Sequence, residues 1–248
     1  MNSTVILENI LGWGLILGSL VSYTPQYYKI YNLKNTVGIS ETMIIAGVLS
    51  AYTNLLGSIQ QDLQTLYACR GIDCYHIFLP IIQMISSYIC FFVFYMFFLY
   101  FFKIKEILTI YQPNDNIYPK KRARLRGMIT ILITIILFIY FVIINQTSYH
   151  AINKSGILLN LISAILSLIM WIPQINTTYT LKNNHSLSLL ALSFHSFGCL
   201  VTIIYQKIFA NQSVWIILCY IVSFISELII LVLSLYYKYR NQFYVDMK

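Results

Sequence analysis

The stretch PQYYKIYNLKNTVGIS, residues 25–40, decides how the chain is interpreted, because the chain contains it twice. A second copy, PQINTTYTLKNNHSLS, occupies residues 173–188, and the two copies agree without a gap at 7 of 16 positions. The dipeptide Pro-Gln occurs nowhere else in the chain, so biased composition does not explain the match. Self-similarity of this kind indicates that a larger structural unit is duplicated.

The composition is that of a membrane protein. Of the 248 residues, 58% are hydrophobic and only 10% are charged, and the mean hydropathy is +0.72. A typical soluble domain has about 25% charged residues. This composition excludes a disordered chain, a coiled coil, a disulfide scaffold and an ordinary soluble enzyme. It favours a chain that crosses the bilayer several times.

Seven apolar segments are long enough to cross the hydrocarbon core, which takes about 20 helical residues. We therefore predict an all-α polytopic protein with seven transmembrane helices. The predicted spans are residues 9–28, 39–59, 75–102, 128–144, 156–176, 187–205 and 214–237.

The basic residues predict the orientation. With seven spans, 13 of the 16 Lys and Arg residues fall on the side of the C-terminus and 3 on the other. The positive-inside rule then places the C-terminus in the cytoplasm and the N-terminus in a lumen. We interpret the basic run at residues 120–126 as a topology signal; binding of anionic lipid is the alternative. No convincing cleavable signal peptide precedes the first span.

The duplicated segments occupy equivalent places, since each runs from the cytoplasmic end of one span into the next. We predict a 3+1+3 arrangement of two parallel three-helix repeats. The predicted units are a first repeat at residues 1–105, a basic loop and linker helix at 106–150, a second repeat at 151–240 and a tail at 241–248.

Two cysteines, Cys69 and Cys74, lie together on the predicted lumenal side, where a disulfide is chemically permitted. A free pair of thiols is the equal alternative. The sequence has no metal-ligand cluster, nucleophile elbow or phosphate loop, so we predict no enzymatic activity, no metal and no cofactor. The net charge of +8 is explained by topology, and we predict no nucleic-acid partner.

The duplicated Pro-Gln segments in a seven-span chain resemble the PQ-loop repeat family. This family includes cystinosin-like and other amino-acid exporters of lysosomes and vacuoles, and it is related to the SWEET sugar transporters. The resemblance implies a secondary transporter for a small polar solute such as an amino acid or derivative, in a lysosomal or vacuolar membrane. It leaves the solute, the direction of transport and the oligomeric state open.

Each Pro-Gln pair has a physical interpretation. Pro25 and Pro173 remove one helical hydrogen bond each and are expected to kink their spans at matched depth. Gln26 and Gln174 are expected to bond a backbone group freed beside the kink. Two matched flexible points suit the rocking of one repeat against the other, and static kinks that only help packing are the alternative.

Two ionisable residues fall at bilayer depth, where such groups indicate function. Glu227 lies near the middle of the seventh span and His195 near the middle of the sixth. We expect Glu227 to have no Lys or Arg partner and to exchange a proton at lysosomal acidity, with His195 as a second proton or solute contact. The acids Glu8, Glu41 and Asp62 lie at span edges, within reach of water.

Polar residues at mid-depth are candidate solute contacts: Asn54, its repeat equivalent Thr202, Asn160 and Gln83. Such residues also serve simply to bond helices to each other. Two other functions stay open. One is a proton-independent sugar facilitator, and the other is a receptor or sorting protein on the same fold.

Overall fold

A computed structural model describes residues 3–34, 36, 39–68, 75–101, 119–181 and 188–246. Within these ranges the chain forms seven α-helices, and no strand occurs. They are α1 (Ser3–Leu33), α2 (Glu41–Ala68), α3 (Tyr75–Phe101), α4 (Pro119–Ile144), α5 (Tyr149–Leu181), α6 (Leu189–Ile204) and α7 (Val214–Asp246). A π-helical turn, Tyr205–Phe209, continues α6. Cys69 and Cys74, with the disulfide predicted for them, lie outside the described residues.

Helices α2 to α7 are long and apolar enough to cross a membrane. The prediction of an all-α membrane protein is therefore confirmed. Helix α1 has 31 residues and is not among these six. The count of seven spans thus stays a prediction.

Six of the helices pack in a closed ring. Helix α3 lies between α1 and α2, and α7 lies between α5 and α6. The ring closes where α2 packs on α5 and where α1 packs on α6. The first and second helices of each predicted repeat therefore contact the second and first helices of the other. A space enclosed by this ring has walls from both predicted repeats.

Helices α2 and α5 form the closest seam of the ring. A Cβ atom on Gly57 would lie 2.8 Å from the carbonyl oxygen of Gly156, and a Cβ atom on Gly156 would lie 2.8 Å from the carbonyl oxygen of Gly57. Further along the seam, the hydroxyl of Ser50 bonds that of Ser167 at 2.8 Å and donates to the carbonyl of Ser163 at 2.9 Å. Small residues that let backbones approach, with interhelical hydrogen bonds, are the usual means of helix association in membranes.

Helix α4 lies at the periphery, against α2 and α5. Only 11% of the apolar stretch within Leu125–Ile144 is buried inside the protein, which suits a helix surrounded by lipid. Arg126, near its start, is 2.6 Å from the carboxylate of Glu41 at the start of α2. This ion pair holds α4 to the ring beside the first repeat segment.

The close α2–α5 seam predicts a difference between two glycines. Gly57→Ala places a methyl group against backbone and is expected to lower the free energy of unfolding by about 1–3 kcal/mol. Gly14→Ala on α1 meets open space, so it should leave stability equal or slightly higher. Thermal denaturation of both variants in one detergent measures the difference. Equal melting temperatures would contradict the packing described.

Candidate functional site

A central cavity of about 450 Å³ lies within the ring of six helices. Each of α1, α2, α3, α5, α6 and α7 contributes side chains to its wall. The volume falls in the range of small-molecule sites, which is about 300–1,000 Å³. Three predicted solute contacts line the cavity: Asn54, Gln83 and Thr202.

The two residues predicted for proton coupling are in direct contact at this cavity. His195 Nδ1 lies 2.7 Å from the carboxylate oxygen Oε1 of Glu227. The side chain of Glu227 is completely buried, whereas that of His195 is 24% exposed and lines the cavity. Glu227 therefore communicates with the cavity through the imidazole ring.

The sequence excluded only Lys and Arg as partners of Glu227, and the structure shows that its partner is the imidazole of His195. One expectation is corrected: Glu8 was expected to lie within reach of water but is only 9% exposed. The bond of Glu227 was not visible in the sequence, because it depends on how α6 and α7 come together.

Tyr23 is a site residue that the sequence prediction missed. Its hydroxyl lies 3.0 Å from the second ring nitrogen of His195, Nε2, and its ring packs edge-on against the imidazole. A line of contacts thus runs from α1 through α6 to α7. A signal was available, because Trp171 stands two residues before the second Pro-Gln pair just as Tyr23 does before the first.

The arrangement is asymmetric between the predicted repeats. The residue of the first repeat that matches His195 is Gly47, which also lines the cavity. A Cβ atom there would lie 2.8 Å from Met170 Sδ and from Phe91 Cε1. The site has no room for a second histidine, so the ionisable pair belongs to one side of the cavity.

Cys199 completes the surroundings of the pair. Its sulfur lies 3.8 Å from His195 Nδ1, and potential ligand atoms of Cys199, His195 and Glu227 lie within 4.8 Å of one another. Closed zinc sites use four ligands, and the Nδ1 atom needed here is already bonded to the carboxylate. We interpret the group as a hydrogen-bonded acid and base.

The two glutamines of the repeated segments make reciprocal bonds between the predicted repeats. Gln26 Oε1 accepts from the backbone N–H of Ser188 at 2.7 Å, and Gln174 Oε1 accepts from that of Ser40 at 3.1 Å. Ser40 and Ser188 are the matched last residues of the two segments. Each glutamine thus bonds the segment opposite to its own, and α1 and α5 run unbroken through Pro25 and Pro173. The bond expected beside each kink stays a prediction.

These bonds lie at the starts of α6 and α2, where backbone N–H groups need partners. The hydroxyl of Ser188 accepts from Ala191 N–H at 3.3 Å, and that of Ser40 accepts from Met43 N–H at 3.4 Å. The first backbone N–H groups of a helix have no intrahelical partner. Each repeated segment therefore supplies a glutamine that completes the cap of the helix that follows the other segment.

The four residues predicted as solute contacts lie in two places. The amide nitrogen of Gln83 donates to the hydroxyl of Thr202 at 2.9 Å across the cavity, and that of Asn54 is 3.5 Å from the hydroxyl of Tyr220. Asn160 is fully buried but does not line the cavity. It lies at the α2–α5 seam, where its amide faces Gly57.

The reciprocal glutamine bonds predict a crossed pattern of hydrogen exchange. Gln26→Leu removes the acceptor for Ser188 N–H, a loss of about 1 kcal/mol, and should speed exchange at the start of α6 about fivefold without affecting the start of α2. Gln174→Leu should do the opposite. Gln26→Glu keeps an acceptor oxygen and serves as the control. Exchange mass spectrometry that finds both helix starts affected equally by either variant would contradict the pairing.

A comparison with protein families agrees with the first repeated segment. The model of the PQ loop repeat matches residues 7–66, which span most of α1 and α2 with the first Pro-Gln segment. A search of curated proteins gave no match. The chain therefore carries a PQ-loop repeat over residues 7–66, as the resemblance predicted, and the cystinosin-like subgroup stays a prediction.

Proposed function

We propose that the protein is a secondary transporter that moves a small polar solute through the central cavity by alternating access, coupled to protons. The observation that carries the proposal is the bond between His195 and the fully buried Glu227 at the cavity wall. Burying a carboxyl group inside a membrane bundle is costly, and such groups mark proton and solute pathways.

The geometry supplies a route for the proton. Solvent in the cavity reaches His195, which is part-exposed, and does not reach Glu227 directly. Histidine changes charge near physiological pH, so it suits the transfer of a proton between the cavity and a buried acid. Tyr23 holds the other ring nitrogen from the opposite repeat. A change in the distance between the repeats would therefore change the bonding of the imidazole.

Alternating access needs a contact between repeats that opens and closes. We propose that the bonds of Gln26 to Ser188 and Gln174 to Ser40 close one end of the bundle. In this proposal the chain has the 3+1+3 arrangement of parallel repeats, with α4 as the linker. The residues at the glutamine bonds fall on the side that the basic residues assign to the cytoplasm.

The solute and location follow from resemblance rather than from the cavity. PQ-loop relatives that export amino acids from lysosomes and vacuoles suggest an amino acid or derivative, carried from an acidic lumen. The positive-inside rule suggests a lumenal N-terminus and a cytoplasmic C-terminus.

A receptor on the same fold is the second candidate. The observation that favours it is the set of bonded residues around the cavity, which a binding protein would also need. A sugar facilitator fits less well, since a carrier that uses no proton gradient has no need of a buried acid paired with histidine.

Glu227→Gln is expected to abolish solute accumulation driven by a pH gradient, because the amide keeps the shape of the side chain but cannot exchange a proton. Uptake into vesicles of purified protein, screened over amino acids and sugars with and without an imposed gradient, measures this. Asp62→Asn is the matched control. Asp62 accepts a hydrogen bond from Gln212 away from the cavity, so this variant should keep the gradient dependence.

The outcomes separate the candidate functions. Flux that is equal with and without a gradient, and unchanged in Glu227→Gln, would contradict proton coupling and favour a facilitator. Saturable binding of a solute with no flux in either direction would favour the receptor.

A further inference from the structure

The cavity has a side opening between α1 and α6. Two contacts flank it: Gly12 lies beside the hydroxyl of Tyr205, in the π-helical turn that continues α6, and the hydroxyl of Tyr23 bonds His195. Between these contacts lie Gly14 and Gly18 on α1 and Gly198 on α6. A Cβ atom on any of the three would meet no atom within 4 Å.

The cavity reaches the outer surface of the bundle through this opening. Val21 and Phe197 line the cavity and yet are 60% and 66% exposed. Ile10 and Phe194 are likewise both lining and exposed. All four are apolar, as expected where a protein surface meets lipid. The opening therefore lies on an apolar part of the outer surface of the bundle.

The deep end of the cavity offers hydrogen-bond acceptors. Asn54 and Gln83 are 4% and 3% exposed, and their amide oxygens have no partner in the described structure. Their amide nitrogens are directed to Tyr220 and Thr202. A buried polar atom left without a partner is costly, so these oxygens fit a ligand that brings N–H or O–H donors.

The wall also restricts the charge of the ligand. Among the described residues that line the cavity there is no Lys or Arg. His195 is already engaged by Glu227 and Tyr23. A head group whose only charge is negative would lose water here without a basic partner, which is unfavourable. A neutral or cationic group meets no such penalty.

We propose that the cavity binds single-chain amphiphiles that enter between α1 and α6, with the alkyl chain in the glycine-lined opening and a donor-bearing head group at Asn54 and Gln83. The head group is neutral or cationic. This goes beyond the proposed function, because it concerns a second class of ligand and a route from the bilayer. It holds whether or not the protein transports a solute.

Photolabelling of the full-length protein in lipid vesicles tests the proposal without measuring flux. The probe is dodecylamine with a diazirine on its alkyl chain, and the labelled residues are mapped by mass spectrometry. Label is expected on the facing stretches of α1 and α6 that border the opening. Excess dodecylamine and 1,2-dodecanediol should both displace it, whereas dodecanoate should not. The diol tests whether a neutral head group is accepted as well as a cationic one.

Two substitutions test the two ends of the site. Gly18→Leu fills the opening and should remove the label, while Leu17→Phe adds bulk on the outward face of the same helix and should not. Asn54→Leu should weaken displacement by dodecylamine about fivefold, the effect of one lost hydrogen bond.

Label spread evenly over all outward-facing helices, or displaced equally by dodecanoate, would overturn the proposal. Because competition is measured on the unaltered protein, the result stands even if Gly18→Leu fails to fold.

Discussion

The hydrogen bond between His195 and Glu227 is the interaction on which the rest of the cavity depends. A carboxyl group in an apolar bundle must be satisfied by protein, since lipid offers no partner. His195 of α6 bonds one carboxylate oxygen, Oε1, and is itself held by Tyr23 of α1, while the other oxygen, Oε2, has no partner in the described structure. The chain of three side chains fixes α1, α6 and α7 around one side of the cavity and leaves the imidazole at its surface.

The reciprocal glutamine bonds give the duplicated sequence its structural meaning. Each repeated segment contains a glutamine at its start and a helix-capping serine at its end, and each glutamine serves the serine of the other copy. A single copy folded alone would lack the hydrogen-bond partner that the other copy supplies. The duplication is therefore matched by an exchange of hydrogen bonds, which explains why these positions agree between segments that differ elsewhere.

The fold could be predicted from the sequence further than the site could. Hydropathy and helix length located α2 to α7, because a bilayer allows few other structures. The repeated segment identified Gln26 and Gln174 but not their partners. Ser40 and Ser188 lie close to these glutamines only because of the order in which the helices pack around the ring. His195 and Glu227 were identified because an ionisable side chain is costly to bury at bilayer depth. Tyr23 and the displacement of Asn160 from the cavity depend on helix rotation, which composition does not encode.

The central claim is that Glu227 exchanges a proton with the cavity through His195. Infrared difference spectra of the protein in lipid vesicles, recorded between acidic and neutral pH, test it most directly. The account predicts a band of a protonated, buried carboxyl group that disappears in Glu227→Gln and persists in Asp62→Asn. A difference spectrum in which Glu227→Gln leaves every carboxyl band unchanged would contradict the account.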